Sequence, residues 1–216
     1  MKYAAVIFDL DGTLLDTIED LADSMNAALQ REGHTVHPIG AYRYFVGDGI
    51  ENLVRRALPE SARDEDSVAR GKAAMDAEYN KRWNAKSKPY AGVPKLLDEL
   101  TRQQIPMAIL SNKPEPLTLL AVNELLSQWT FFPIRGARPD TPHKPDPTGA
   151  LAVAKELGVI PANCLYLGDT DTDMKTAVSA GMYALGATWG FRPGEELLRT
   201  GAQTLLDEPL ELLGLL

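Results

Sequence analysis

The chain is poor in the residues that would place it outside the cell or on a nucleic acid. Its 216 residues include one cysteine, Cys164. A single thiol excludes a disulfide framework and a cysteine metal cluster. No stretch of 18 apolar residues occurs, so no membrane-spanning helix is expected. The N-terminus reaches apolar, strand-like sequence by residue 4, without the pattern of a secretion signal. A cytoplasmic location is the expectation. Basic charge is also short: 22 Lys and Arg face 30 Asp and Glu, a net charge of −8, which argues against a nucleic-acid surface. There is no Gly-x-Ser-x-Gly elbow and no phosphate-binding P-loop. The three histidines, His34, His37 and His143, lack metal-ligand spacing and read as surface residues.

What remains is an ordinary globular composition organised around one stretch, Val6-Ile7-Phe8-Asp9-Leu10-Asp11-Gly12-Thr13. Residues 2–8 have the size and β-branched content of a buried parallel strand. Asp9 and Asp11 follow two apart, so in an extended segment both carboxylates face one side. Like charges at such short range call for a cation, a shared proton or both. A divalent metal beside one protonated carboxyl suits covalent phosphoryl transfer, one Asp attacking and the other serving as acid.

Beyond Asp16 the periodicity is helical. Leu21, Met25, Ala28 and Leu29 define one helix ending near Gly33. Short helices are expected over 41–46 and 50–58, split by Gly47-Asp48-Gly49, and a longer polar one over 63–85. Strand–helix alternation resumes at 88. Apolar strands are expected at 106–110, 131–134, 164–167, 183–188 and 203–206. Such alternation predicts a parallel sheet with helices on both faces, interrupted by a helical insertion over 16–86. Ligands bind such sheets beyond the carboxyl ends of the strands. Polar clusters lie at three of those ends: Asp9/Asp11, Ser111/Asn112/Lys113 and Asp169/Asp173.

Each cluster has a plainer reading. Asp16 and Asp20 are as readily turn formers or helix caps. Asp169-x-Asp171-x-Asp173 imitates the start of an EF-hand loop, but Met174 and Ala180 occupy positions that need Gly and Glu, so calcium of that kind is rejected. Ser111 could cap the next helix, and Lys113 reads as a rim charge. Lys144, in the stiff His143-Lys144-Pro145 segment, is a candidate counter-cation for a carboxylate-lined crevice. Trp189-Gly190 fits either a core or a pocket wall.

Taken together, Asp9-Leu10-Asp11-Gly12-Thr13, Ser111-Asn112, Lys144-Pro145 and Gly168-Asp169 with Asp173 resemble the four motifs of the haloacid dehalogenase superfamily, in order and across nearly the whole chain. The stretches Tyr44-Phe45-Val46-Gly47-Asp48-Gly49, Asn112-Lys113-Pro114, Lys144-Pro145-Asp146-Pro147 and Thr188-Trp189-Gly190 are similar to those of its phosphoglycolate phosphatase branch. Ser111 departs from the Thr that many of these enzymes carry but supplies the same hydroxyl.

The resemblance implies an α/β fold: a Rossmann-like doubly wound parallel sheet core, residues 1–15 and 87–216, with an inserted all-helical cap domain over 16–86. It implies a phosphatase acting on small phosphomonoesters, with 2-phosphoglycolate first. A sugar phosphomutase on the same scaffold and a non-enzymatic receiver-type phospho-aspartate module are the alternatives. Asp9 would be the nucleophile and Asp11 the acid–base group. Mg²⁺ would be held by Asp9, the Asp11 carbonyl and Asp169, with Asp173 in support. Ser111, the Asn112 amide and Lys144 would hold the phosphoryl oxygens. In the cap, Arg43 and Gly47-Asp48-Gly49 are the candidate substrate readers, with Arg55 and Arg56 on the following helix. The implied partner is a small phosphorylated metabolite, with no nucleic acid and no membrane; the chain would be a monomer or weak homodimer.

Overall fold

The computed structural model describes residues 3–216. Lys2, expected to open the first strand, lies outside that range. The strands are β1 (Ala5–Phe8), β2 (Leu15–Asp16), β3 (Lys88–Pro89), β4 (Met107–Pro114), β5 (Ile134–Ala137), β6 (Cys164–Gly168), β7 (Tyr183–Ala187) and β8 (Thr204–Leu206). The α-helices are α1 (Ile18–Arg31), α2 (Ile39–Phe45), α3 (Ile50–Ala57), α4 (Glu65–Arg82), α5 (Val93–Arg102), α6 (Glu115–Leu125), α7 (Thr148–Leu157), α8 (Asp171–Ser179) and α9 (Gly194–Thr200). The chain divides into two compact units, one made of Met1–Leu15 with Pro89–Leu216 and the other of Asp16–Lys88.

The first unit is built on a six-stranded sheet in the order β5-β4-β1-β6-β7-β8, every neighbouring pair parallel. β1 is wholly buried, as a Val/Ile/Phe run in the middle of a parallel sheet should be. The chain leaves β1 toward β4 and β5, then crosses to β6 and continues outward on the other side. The switch point therefore falls between β1 and β6, the place where such sheets bind ligands beyond their strand ends.

Helices α5 to α9 connect these strands. The apolar stripe Leu96, Leu97 and Leu100 of α5 is fully buried. One core cluster joins Ile7, Ala108, Val153, Tyr166, Met174 and Leu197 from strands and helices alike.

Two expectations shift. The strand expected at 131–134 begins at Ile134 and runs to Ala137. Phe131 is instead buried beside Phe8, their rings meeting edge to face, so its hydrophobicity serves packing rather than strand pairing. β4 runs four residues past its expected end and carries Ser111, Asn112 and Lys113 within the strand. Ser111 does not cap α6; Pro114 holds that position.

The second unit is helical, made of α1 to α4. α4 starts where Asp64 accepts a hydrogen bond from the Ser67 N–H. α1 lies against α4 and α2, and α3 against α4. Gly71 lets the last pair approach closely, since a Cβ there would sit 2.8 Å from Val54. Gly47 and Gly49, with φ of 124° and 88°, make the turn between α2 and α3 in a region that side-chain-bearing residues avoid. Asp20 is neither a cap nor a turn former. Its fully buried carboxylate, in the first turn of α1, accepts hydrogen bonds from the Lys86 and Ser87 N–H groups and the Ser87 hydroxyl. The chain passes between the units at β2 and β3, which pair with each other.

Candidate active site

Asp9 follows the last residue of β1 and is fixed there by its own backbone, whose N–H donates to the Leu167 carbonyl of β6 at 2.9 Å. Asp169 follows the last residue of β6, the neighbouring strand. Asp173 sits in the first turn of α8. Asp9, Asp169 and Asp173 are all buried, and one carboxylate oxygen from each lies within 4.8 Å of the others. The switch point thus carries three carboxylates in one place.

Their neighbours are specific. Asp169 accepts from the Thr13 hydroxyl through Oδ1 (2.7 Å) and from the Phe191 N–H through Oδ2 (2.8 Å). Backbone walls the same group: a Cβ on Gly12 or Gly190 would fall 2.3 Å from Asp169 atoms. Gly12 also has φ of +91°. Asp173 Oδ2 accepts from the Thr170 N–H (3.0 Å) and hydroxyl (2.6 Å), while Thr170 caps α8 by accepting from the Asp173 N–H. This reciprocal capping box makes one residue both a helix start and a member of the cluster.

Lys144 is the cation among them. Its buried ammonium lies 2.6 Å from Asp173 Oδ1, 2.8 Å from Asp9 Oδ1 and 3.1 Å from the Leu110 carbonyl. The contact with Asp9 is an ion pair without hydrogen-bond alignment. The Asn112 side chain fixes the Lys144 backbone from both sides, donating to its carbonyl (3.0 Å) and accepting from its N–H (2.9 Å). The side-chain amide of Asn112 is therefore a positioning group.

The electrostatics follow from burial. Loss of water, then the charge of Asp173, pushes the Asp9 carboxyl up to about 7 against the pull of Lys144. Burial and the charges of Asp173 and Asp9 hold Asp169 well above the carboxylate range, despite the Phe191 and Thr13 hydrogen bonds. Burial alone would lower Lys144, but Asp173 and Asp9 outweigh it and keep the lysine cationic. Burial keeps the Tyr166 phenol neutral, and it donates weakly to Asp173 at 3.4 Å.

One ammonium does not neutralise three buried carboxylates. A divalent cation would, and an all-oxygen donor set suits a hard one. The cluster fits a divalent metal site.

Asp11 stands apart from this cluster. Both of its carboxylate oxygens face the Lys113 ammonium, at 3.1 and 3.2 Å. Lys113 is thus no rim charge: its side chain is 5% exposed and paired in the site. No sequence signal marks this role, because a lysine following a strand end is ordinarily solvated. Thr170 could have been found, since Thr170-x-x-Asp173 is a capping-box pattern. Trp189 is half-buried and donates to the Thr13 carbonyl at 3.0 Å, bracing the loop that carries Asp11 and Thr13.

Arg43, Gly47, Asp48 and Gly49 all belong to the second unit. Arg43 is an exposed residue of α2. Asp48 is ion-paired with Arg56, which also donates to the Phe45 carbonyl. Arg55 is taken up by Glu51 and the Arg63 carbonyl. Both α3 arginines therefore serve the helix–turn–helix itself.

A doubly wound parallel sheet with a buried carboxylate cluster and a lysine at its switch point defines an α/β protein with a metal-competent acidic site. The model of the haloacid dehalogenase-like hydrolase family matches residues 6–187, and the chain belongs to that family. It is similar to the phosphoglycolate phosphatase of Xylella fastidiosa, 33% identical over 211 residues that cover 94% of this chain and 89% of that protein. The phosphoglycolate phosphatase of Pseudomonas putida is 32% identical over 206 residues, 94% of this chain and 76% of that one. Among solved structures, a protein of Lactobacillus delbrueckii subsp. bulgaricus matches with a TM-score of 0.90 at 28% identity, covering 98% of this chain and 97% of that chain. No helix among the described residues is long and apolar enough to cross a membrane.

Proposed function

We propose that this protein is a Mg²⁺-dependent phosphatase that hydrolyses small phosphomonoesters, 2-phosphoglycolate first among them, through an aspartyl-phosphate on Asp9. The observation that carries this reading is the buried Asp9/Asp169/Asp173 cluster held against Lys144. The names of the relatives at 32–33% identity supply the substrate. Asp9, the carbonyl of Asp11 and Asp169 would hold the metal, and Asp173 would keep Lys144 and the metal's waters in place. A divalent metal there would supply positive charge that favours an ionised Asp9 and a negatively charged phosphoryl group.

In the first half-reaction an Asp9 oxygen forms a bond to phosphorus as the P–O bond to the leaving group breaks. Asp11 gives its proton to the departing oxygen. In the second, Asp11 takes a proton from water as that water attacks the aspartyl-phosphate, and inorganic phosphate leaves with Asp9 regenerated. The Ser111 hydroxyl, the Asn112 N–H and the Lys144 ammonium bind the phosphoryl oxygens where charge accumulates. The helical unit acts as the cap, with Arg43 and the Gly47-Asp48-Gly49 turn assigned to substrate discrimination. The enzyme is cytoplasmic and works as a monomer or weak homodimer.

The test is phosphate release from a panel of phosphomonoesters, ranked by kcat/KM, with Mg²⁺ and after chelation. Turnover that requires Mg²⁺ and ranks 2-phosphoglycolate highest is expected, as is trapping by beryllium fluoride with Mg²⁺. Full activity in EDTA after metal stripping would sink the mechanism. Failure on 2-phosphoglycolate alone would remove the substrate and leave the phosphatase.

A further inference from the structure

We infer that Lys113, in addition to the residues assigned to discrimination in the helical unit, reads the leaving group, selecting phosphomonoesters whose ester-bearing carbon also carries a carboxylate. The inference rests on the phosphatase reading and deepens it.

Lys113 Nζ is nearly equidistant from the two carboxylate oxygens of Asp11, at 3.1 and 3.2 Å. The ammonium therefore faces the edge that the two oxygens of that carboxylate share. A leaving oxygen that exchanges a proton with Asp11 must come within hydrogen-bond reach of the same edge. Substrate and ammonium compete for one place. A buried cation that loses an acceptor is costly unless another replaces it. A leaving group with its own carboxylate, one carbon from the ester oxygen, provides that replacement. A neutral leaving group displaces the ammonium and offers it no charged partner. The arrangement thus discriminates by charge on the product alcohol, within the unit that holds the catalytic carboxylates.

The position of Lys113 is rigid enough to act this way. It lies in β4, in a register irregularity between Leu110, which pairs with Arg135 of β5, and Pro114, which pairs with Ala137. Its N–H donates to the Ser111 hydroxyl and its carbonyl accepts from the Thr118 hydroxyl. Gly136 of β5 meets the backbone of Glu115 so closely that a Cβ would fall 2.4 Å from its Cα. Strand and helix start are locked on both sides of the lysine, so its ammonium is presented from a fixed backbone.

The experiment compares 2-phosphoglycolate with 2-hydroxyethyl phosphate, which replaces the carboxylate by a neutral hydroxymethyl group. Values of kcat/KM are measured in Mg²⁺ for the unsubstituted protein, Lys113→Met and Lys113→Arg. The unsubstituted protein is expected to favour 2-phosphoglycolate. Lys113→Met should lower the ratio of the two kcat/KM values about a hundredfold, the scale of one lost charge-assisted hydrogen bond. Lys113→Arg, which keeps the charge, should recover part of it. An unchanged ratio, or equal loss on both esters down to complete inactivity, overturns the inference while the unsubstituted enzyme still supports the phosphatase reading. No phosphate release from either ester by the unsubstituted enzyme ends that reading and this inference with it.

Discussion

Asp9→Asn should make the metal-free protein more stable at neutral and alkaline pH while abolishing turnover. The Asp9 carboxyl rises from an ordinary 3.8 to about 7, chiefly through burial and then through Asp173. An acid whose folded value lies above its unfolded value binds more protons when folded. Its contribution to stability therefore falls as pH rises, over the window from 3.8 to about 7. From those two values, the stability lost through this group, relative to acid pH where it is protonated in both folded and unfolded chains, is about 2 kcal/mol at pH 5 and about 4 kcal/mol at pH 8. Asparagine has nearly the same shape and does not titrate, so the variant should lose this slope. Asp9 also raises Asp169, so its removal relieves that carboxyl in the same direction. The assay is urea unfolding in EDTA at pH 5, 6, 7 and 8, comparing the two proteins. The stability difference should grow in favour of the variant by about 2–3 kcal/mol from the lowest pH to the highest. Parallel pH profiles would refute the electrostatic account of the cluster. Added Mg²⁺ should recover the loss in the unsubstituted protein and do much less for the variant.

Asp11→Asn should lower kcat on alkyl phosphates by roughly 10²–10⁴, and much less on p-nitrophenyl phosphate, whose leaving group needs little protonation. Equal losses on both would remove Asp11 as the acid. Gly190→Ala should destabilise the fold by about 1–3 kcal/mol in thermal or urea unfolding, because the new Cβ meets the Asp169 Cβ at 2.3 Å and the Gly12 carbonyl at 2.5 Å. A neutral substitution there would mean that the wall around Asp169 yields easily. Thr170→Val removes the capping oxygen of α8 and one partner of Asp173, and should cost about 1–2 kcal/mol in urea unfolding, with Thr170→Ser recovering most of it. A Ser variant as unstable as Val would show that the methyl packing, not the cap, is at stake.

The sequence is most legible where chemistry and periodicity coincide. Asp9, Asp169, Asp173 and Lys144 stand out because packing seldom places charged residues beside apolar strands, and the structure brings these four together. The helices of 16–86 are legible because their apolar stripes repeat at the helical period. What sequence does not show is partnership. Nothing in Ser111-Asn112-Lys113 says that β4 continues through it, so its residues read as a loop with a rim lysine. Pairing with β5, which lies beyond a whole intervening helix in the chain, resumes at Pro114 after an irregularity and so carries the strand past Lys113. Asp20 is opaque for the same reason: its partners, Lys86 and Ser87, lie far along the chain. Phe131 misleads because burial against another ring and burial within a strand leave the same hydrophobic mark.

The Asp20 contacts have a consequence for how such a chain can change over evolutionary time. One carboxylate near the start of the helical unit grips the backbone near its end, and β2 pairs with β3 just beyond. The two termini of that unit therefore leave side by side, tied by hydrogen bonds wholly or mostly its own. A segment with clasped ends can be lengthened, replaced or exchanged without asking the host sheet to rejoin distant strand ends, since the loop-closure entropy depends only weakly on what lies between. Modules of other sizes could be grafted at Asp16 and Lys88 with the six-stranded sheet left as it is. A chimera in which residues 17–87 give way to a short turn should still fold its sheet, and its far-ultraviolet circular dichroism should lose helix without losing cooperativity on melting.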